Sequence, residues 1–246
     1  MLKRNQRLLN EGHIERREDK KMVRTPRIRL QRKNEMLKNK LIALASSVEE
    51  SVKLAIKAIR DRDAKLATKI IDGDREIDRI EIEVEEDCLE ILALHQPVAM
   101  DLRFITGGFK IINQLERIGD LAVNIAETAV LLASEAPLMI PPDYYLMAER
   151  AENMLKKALD AFVNMDDALA TQVLADDDEV DMMKHKLHRN FEERLEYELE
   201  RRRALIHLFL VSRHLERIAD HSTNIAEDVI YMVTGEIVRH GHSSAK

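Results

Sequence analysis

Apolar residues recur every three or four positions along most of the chain. Leu37, Leu41, Leu44, Val48, Val52, Ala55 and Ile59 make one stripe, the spacing of a helix with one buried face. Asp61-Arg62-Asp63 interrupts it, and a second stripe follows through Ile70, Ile77, Ile80, Val84, Cys88 and Ile91. His95-Gln96-Pro97 ends that stripe, because proline lacks the amide hydrogen and its ring clashes with the preceding turn. A third helical run covers about 100–133. Ser134–Asp143 (SEAPLMIPPD) carries three of the five prolines and reads as a linker. Three more runs cover about 144–163, 165–199 and 203–233. The pattern predicts an all-α chain of two tandem three-helix bundles, residues 35–133 and 144–246, with a linker at 134–143 and a basic arm at 1–34.

Three helices, a linker and three helices suggest internal duplication, and two blocks recur. Residues 61–78 match 164–181 at 7 of 18 positions, a shift of 103. Residues 115–127 (LERIGDLAVNIAE) match 215–227 (LERIADHSTNIAE) at 9 of 13, a shift of 100. The change of shift places a three-residue deletion near the turn between the second and third helices of the second half.

Composition narrows the class. Of 246 residues only 7 are Gly, 5 Pro, 4 Tyr and 5 Phe, and none is Trp, which argues against sandwiches, barrels and doubly wound sheets. No stretch approaches the roughly 18 apolar residues that a membrane helix needs. The single Cys88 cannot form an internal disulfide, and a reducing compartment is expected. The net charge of −6 is uneven: residues 1–33 hold 12 Lys/Arg against 4 Asp/Glu, so the body carries −14. Such a body is unsuited to wrapping nucleic acid and suited to holding cations. The arm reads as disordered or as an extension ahead of a later start at Met22 or Met36, with contact to anionic lipid or an acidic partner surface as the functional alternative.

The repeated blocks carry the candidate chemistry. At about 100° per residue, Glu116, Asp120, Asn124 and Glu127 fall within one narrow arc, and Glu216, Asp220, Asn224 and Glu227 do the same. Ile111, Ile118, Ile125 and Ala129 lie opposite. The preceding helices add the pairs Asp74/Asp78 and Asp177/Asp181. Consecutive bundle helices are antiparallel neighbours, so each half brings two acid pairs toward one groove. Arg117 and Arg217 sit at the arc's edge and compensate only partly. A solvated polar face is the plain reading, but clustered carboxylates repel, and recurrence in both halves favours a bound cation. Oxygen donors suit magnesium, calcium, manganese or iron. Glu81, Glu85 and Asp101 are candidates to extend the first site, whereas their counterparts are Lys184, His188 and Arg201. The second site is therefore expected to bind differently, with His188 either a ligand or an ordinary surface residue.

Together with HQPVAMDLR, the doubled E-R-I-[GA]-D blocks and the D-x-x-x-D pairs resemble the PhoU family, the phosphate-specific transport system accessory proteins. The resemblance spans about residues 35–240. It implies two tandem three-helix bundles with metal clusters at Asp74, Asp78, Glu116 and Asp120 and at Asp177, Asp181, Glu216 and Asp220. The metal is left open among iron, zinc, manganese and magnesium. It also implies a cytoplasmic negative regulator of the phosphate-starvation response. Such a regulator contacts the phosphate transporter's ATPase subunit and a phosphate-sensing histidine kinase, forms a homodimer and meets the membrane only through partners. The long basic arm departs from the family's usual short start, and the second half lacks a counterpart of QPVAMD. Other readings are a structural helical oligomer and a di-metal redox enzyme, but no His has a Glu three positions earlier, as bundle redox centres require. No phosphate-binding Gly-rich loop, G-x-S-x-G elbow or cysteine cluster is present, and Gly107-Gly108 reads as a close helix contact.

Overall fold

The computed structural model describes the backbone of residues 2–238 and the side chains of residues 28–238, so most of the basic arm expected at 1–34 lies outside the described side chains. Six α-helices follow one another: α1 (Leu2–Asp61), α2 (Ala64–His95), α3 (Ala99–Ser134), α4 (Pro142–Asn164), α5 (Asp167–Tyr197) and α6 (Arg202–Thr234). A single 3-10 turn, Leu199–Arg201, precedes α6. Among the described residues there is no strand.

Duplication is visible in the turns. Arg62 and Met165 both take the left-handed conformation at φ 53°, a position that costs a non-glycine residue some strain. The aspartate after each then caps the next helix: Asp63 accepts from the amides of Lys65 and Leu66, and Asp166 from that of Leu169. The later turns differ, as the shorter second sequence predicts. Between α2 and α3, Gln96 and Ala99 are left-handed on either side of Pro97, whereas the α5–α6 connection is the 3-10 turn.

Helices α1, α2 and α3 pack together, as do α4, α5 and α6, and the two bundles meet mainly where α3 lies along α6. Gly107 abuts Met232, Lys110 bonds Asp228, and Gln114 meets Asn224. One set of numbers rises as the other falls, so α3 and α6 run antiparallel. This double duty shows in burial. Helix α2 buries one narrow stripe, Ala67, Ile70, Ile77, Val84, Cys88 and Ile91. Helix α3 buries adjacent pairs, Ile111-Ile112, Leu121-Ala122 and Ile125-Ala126, because it faces its own bundle on one side and α6 on the next. Residues 111–120 and 211–220 share the same pattern of buried, half-buried and exposed positions, residue for residue. Cys88 is buried in the first bundle, and burial, with Asp87 and Glu85 nearby, pushes its thiol up to about 12.

The Gly107-Gly108 contact is a helix crossing. A Cβ at Gly107 would lie 2.4 Å from Met232 Cγ, and one at Gly108 would lie 3.1 Å from Leu41 Cδ1. Gly73, on the exposed side of α2, has nothing within 4 Å. Thermal unfolding therefore separates the two: Gly73→Ala raises Tm, since alanine is favoured by about 1 kcal/mol in a helix interior. Gly107→Ala lowers it, because overpacking costs about 1–3 kcal/mol and outweighs the same propensity gain.

Candidate metal centre

In the first half, α2 and α3 press a row of acids together. Gly119 offers no side chain, and Asp74 Oδ1 lies 3.8 Å from where its Cβ would be. The Asp74 carboxylate thus rests against α3 at the level of Asp120. Partial burial, then Asp78 and Asp120, raise the pKa of Asp74. Glu81 is raised by burial and by Glu116, Glu85, Asp78 and Asp120. Glu116 is raised by burial and by Asp120 and Asp78, while Arg117 opposes the shift. Six carboxylates therefore feel one another: Asp74, Asp78, Glu81, Glu85, Glu116 and Asp120.

Acids just outside this groove are matched with bases. Arg79 bridges Glu76 and Glu83, Lys40 lies 2.6 Å from Asp87, and Lys33 lies 2.9 Å from Glu90. Among the described residues, no salt bridge reaches any of the six inside it.

The second groove is built from the same positions and neutralised differently. Asp177 is raised by burial and then by Asp181, Asp178 and Glu216, with Lys184 opposing. Asp220 is pushed up to about 6 by burial, then by Glu216, Asp177 and Asp181, again against Lys184. Lys184 Nζ donates to Asp181 Oδ1 at 2.9 Å and to Glu216 Oε1 at 2.8 Å.

Several sequence candidates fall elsewhere. Glu127 and Glu227 lie eleven residues beyond Glu116 and Glu216, about 16 Å along the helix, too far to share an ion with them. Asn124 is exposed, eight residues (about 12 Å) beyond Glu116. Asn224 turns toward α3: its Nδ2 donates to Gln114 Oε1 at 3.3 Å, and His221 Nδ1 meets the same oxygen at 2.8 Å. Asn224 and Glu227 line a cavity of about 440 Å³ between α3 and α6, with Lys110, Gln114, Asp228 and Tyr231. Asp101 does not extend the first groove, because it sits at the start of α3 and accepts from Asn34 Nδ2 of α1 at 2.9 Å. His188 places its Nε2 3.2 Å from Ser212 Oγ and its ring 4.3 Å from that of Phe209. The Gln114–His221 link was not legible in the sequence, since neither residue belongs to an acidic pattern.

The first groove fits a hard cation by its donor set: carboxylate oxygens from two helices, half-buried at Asp74, Glu81, Glu85 and Glu116 and exposed at Asp78 and Asp120, mutually repelling and reached by no salt bridge among the described residues. Among the described residues, no three His, Cys, Asp or Glu side chains are already drawn together to hold an ion. Carboxylates of like charge keep apart until a cation screens them.

The Asp220 shift has a definite sign. An acid with its folded pKa above the unfolded one near 3.8 destabilises the fold when ionised, and the penalty fades as pH falls from about 6 toward 4. In the presence of a chelator, Asp220→Asn should therefore stabilise the protein at pH 7.5. The gain is on the order of 1 kcal/mol for a group so open to solvent. Thermal melts at pH 7.5, 6 and 4 should show it shrinking to nothing at the lowest pH.

Comparisons place this architecture. The PhoU domain model matches residues 41–129 and again 145–229. The chain is 41% identical to the phosphate-specific transport system accessory protein PhoU homolog of Aquifex aeolicus, over 86% of this chain and 96% of that protein. It is 37% identical to the Pseudomonas aeruginosa homolog of the same name, over 84% of this chain and 86% of that one. The crystal structure of PhoU from Pseudomonas aeruginosa superposes with a TM-score of 0.77 at 34% identity, covering 84% of this chain and 99% of that one. The phosphate transport system regulatory protein PhoU from Streptococcus pneumoniae superposes with a TM-score of 0.78 at 26% identity, over 86% of this chain and 100% of its own. With both bundles matched in sequence and in fold, the chain belongs to the PhoU family.

Proposed function

We propose that the chain is a non-catalytic accessory protein of a phosphate-specific transport system and a negative regulator of the phosphate-starvation response. One observation carries this reading: PhoU domains account for both bundles, and curated relatives that bear the accessory name span 86% and 84% of the chain. The chain acts as an adaptor between the transporter's ATPase subunit and a phosphate-sensing histidine kinase. It works in the cytoplasm as a homodimer and reaches the membrane through those partners, without contact to nucleic acid. No helix among the described residues is long and apolar enough to cross a membrane. An adaptor of this kind biases a partner's conformational equilibrium, and its effect is bounded by its difference in affinity for the partner's two states.

In this reading Asp74, Asp78, Glu116 and Asp120, flanked by Glu81 and Glu85, hold a divalent or trivalent ion such as iron, zinc, manganese or magnesium. The ion supplies positive charge that offsets repulsion between α2 and α3 and stiffens that face for docking. The carboxylates bind and orient it.

Affinity capture of the full chain from phosphate-replete cells should bring down the transporter ATPase and the sensor kinase. Their joint absence with folded, abundant protein would contradict the adaptor reading. Elemental analysis of the purified protein tests the metal separately: Glu116→Ala with Asp120→Ala should remove most of the metal per chain, and an unchanged content would sink the assignment.

A further inference from the structure

The two acidic grooves are related by duplication, yet only one is left without a cation. We infer that Lys184 is the resident cation of the second groove, taking the place that a metal takes in the first, so that the chain loads metal on one half only. This rests on the metal reading of the first groove. The shift of 103 residues sets Lys184 at the position of Glu81 and His188 at that of Glu85. Where the first half adds two carboxylates, the second therefore adds an ammonium and an imidazole.

Geometry turns that substitution into a closure. Lys184 reaches back one helical turn to Asp181 on its own helix and across to Glu216 on α6, with hydrogen bonds of 2.9 and 2.8 Å. One residue from each helix's acid pair is thus committed to the same nitrogen. The lysine side chain is only 15% exposed. Burial works against its charge, but the bonds to Glu216 and Asp181 hold the ammonium above the ordinary lysine value. A dication entering here would have to break two charge-assisted hydrogen bonds and then sit beside a fixed positive charge. The neighbouring His188 has its Nε2 turned to Ser212 Oγ and its ring against Phe209. On the outer face, Asp176 and Glu179 are held by Lys157 and Arg150. The lysine cross-links α5 to α6 as a metal would cross-link α2 to α3, without exchange and without dependence on metal supply.

Chelator-stripped full-length protein, dialysed against Mn²⁺ and desalted, gives the test by elemental analysis, with circular dichroism to confirm folding. Wild type and Glu216→Gln/Asp220→Asn should retain equal metal, and Glu116→Gln/Asp120→Asn a tenth or less. Adding Lys184→Gln to that last variant should restore Mn²⁺ binding, now in the second groove, and the added ion should raise its Tm. Two results would overturn the inference: less metal in Glu216→Gln/Asp220→Asn than in wild type, or no Mn²⁺ gained by a folded Lys184→Gln protein. Should the lysine variant fail to fold, the Glu216→Gln/Asp220→Asn comparison decides. Wild type without metal but Lys184→Gln with it would refute the first-groove reading and leave the lysine's role standing.

Discussion

Packing of α3 against α6 sets the terms for everything else in this protein. Each of these helices completes its own bundle and also forms the seam between bundles, so two adjoining faces are apolar and only a narrow arc is left for polar groups. That arc lies beside the neighbouring helix, α2 in one half and α5 in the other. Polar residues repeated along it stand at the rim of the helix pair, from half-buried Glu116 and Glu216 to exposed Asp120 and Asp220. They are held against the polar edge of the next helix, and Gly119 lets Asp74 come closer still. Burial of the apolar faces, at roughly 25 cal/mol for each Å² removed from water, is what holds the like charges together.

Charge at that edge is then settled in two ways. The second half carries its own countercharge in Lys184, bonded to a carboxylate on each helix. Among the described residues no salt bridge reaches the acids of the first groove, although Glu76, Glu83, Asp87 and Glu90 nearby on α2 are matched with Lys or Arg. Burial and neighbouring carboxylates raise Asp74, Glu81 and Glu116 there with no ion pair to offset them, so their ionised forms cost stability. The duplicated units share the same acid pairs but differ beside them, with Glu81 and Glu85 in one half and Lys184 and His188 in the other.

Much of this was legible in the sequence because it follows from periodicity. The six helices, the linker prolines and the repeated blocks at shifts of 103 and 100 fix the architecture. The acid pairs at four-residue spacing point to Asp74, Asp78, Glu116 and Asp120 and their counterparts, which the fold brings side by side on neighbouring helices. The angular argument overreached along the helix axis. Glu127 shares an angle with Glu116 but lies three turns away, and Asn224 lies on the side that α6 turns toward α3. Angle alone does not report height, and which neighbour covers a face is a tertiary fact. Likewise the sequence shows that Lys184 replaces Glu81, but only the fold shows its nitrogen reaching two carboxylates at once. Asp101 stood as a candidate extension of the first site and His188 as either a ligand or an ordinary surface residue; in the fold Asp101 accepts from Asn34 and His188 meets Ser212.

A crystal structure of the full chain soaked in Mn²⁺, with anomalous scattering collected near the manganese edge, bears most directly on the unequal halves. The account predicts anomalous density between α2 and α3, bounded by Asp74, Asp78, Glu116 and Asp120, with Lys184 still spanning Asp181 and Glu216. Density of equal strength between α5 and α6, with the lysine displaced, or density in that groove alone, would contradict it.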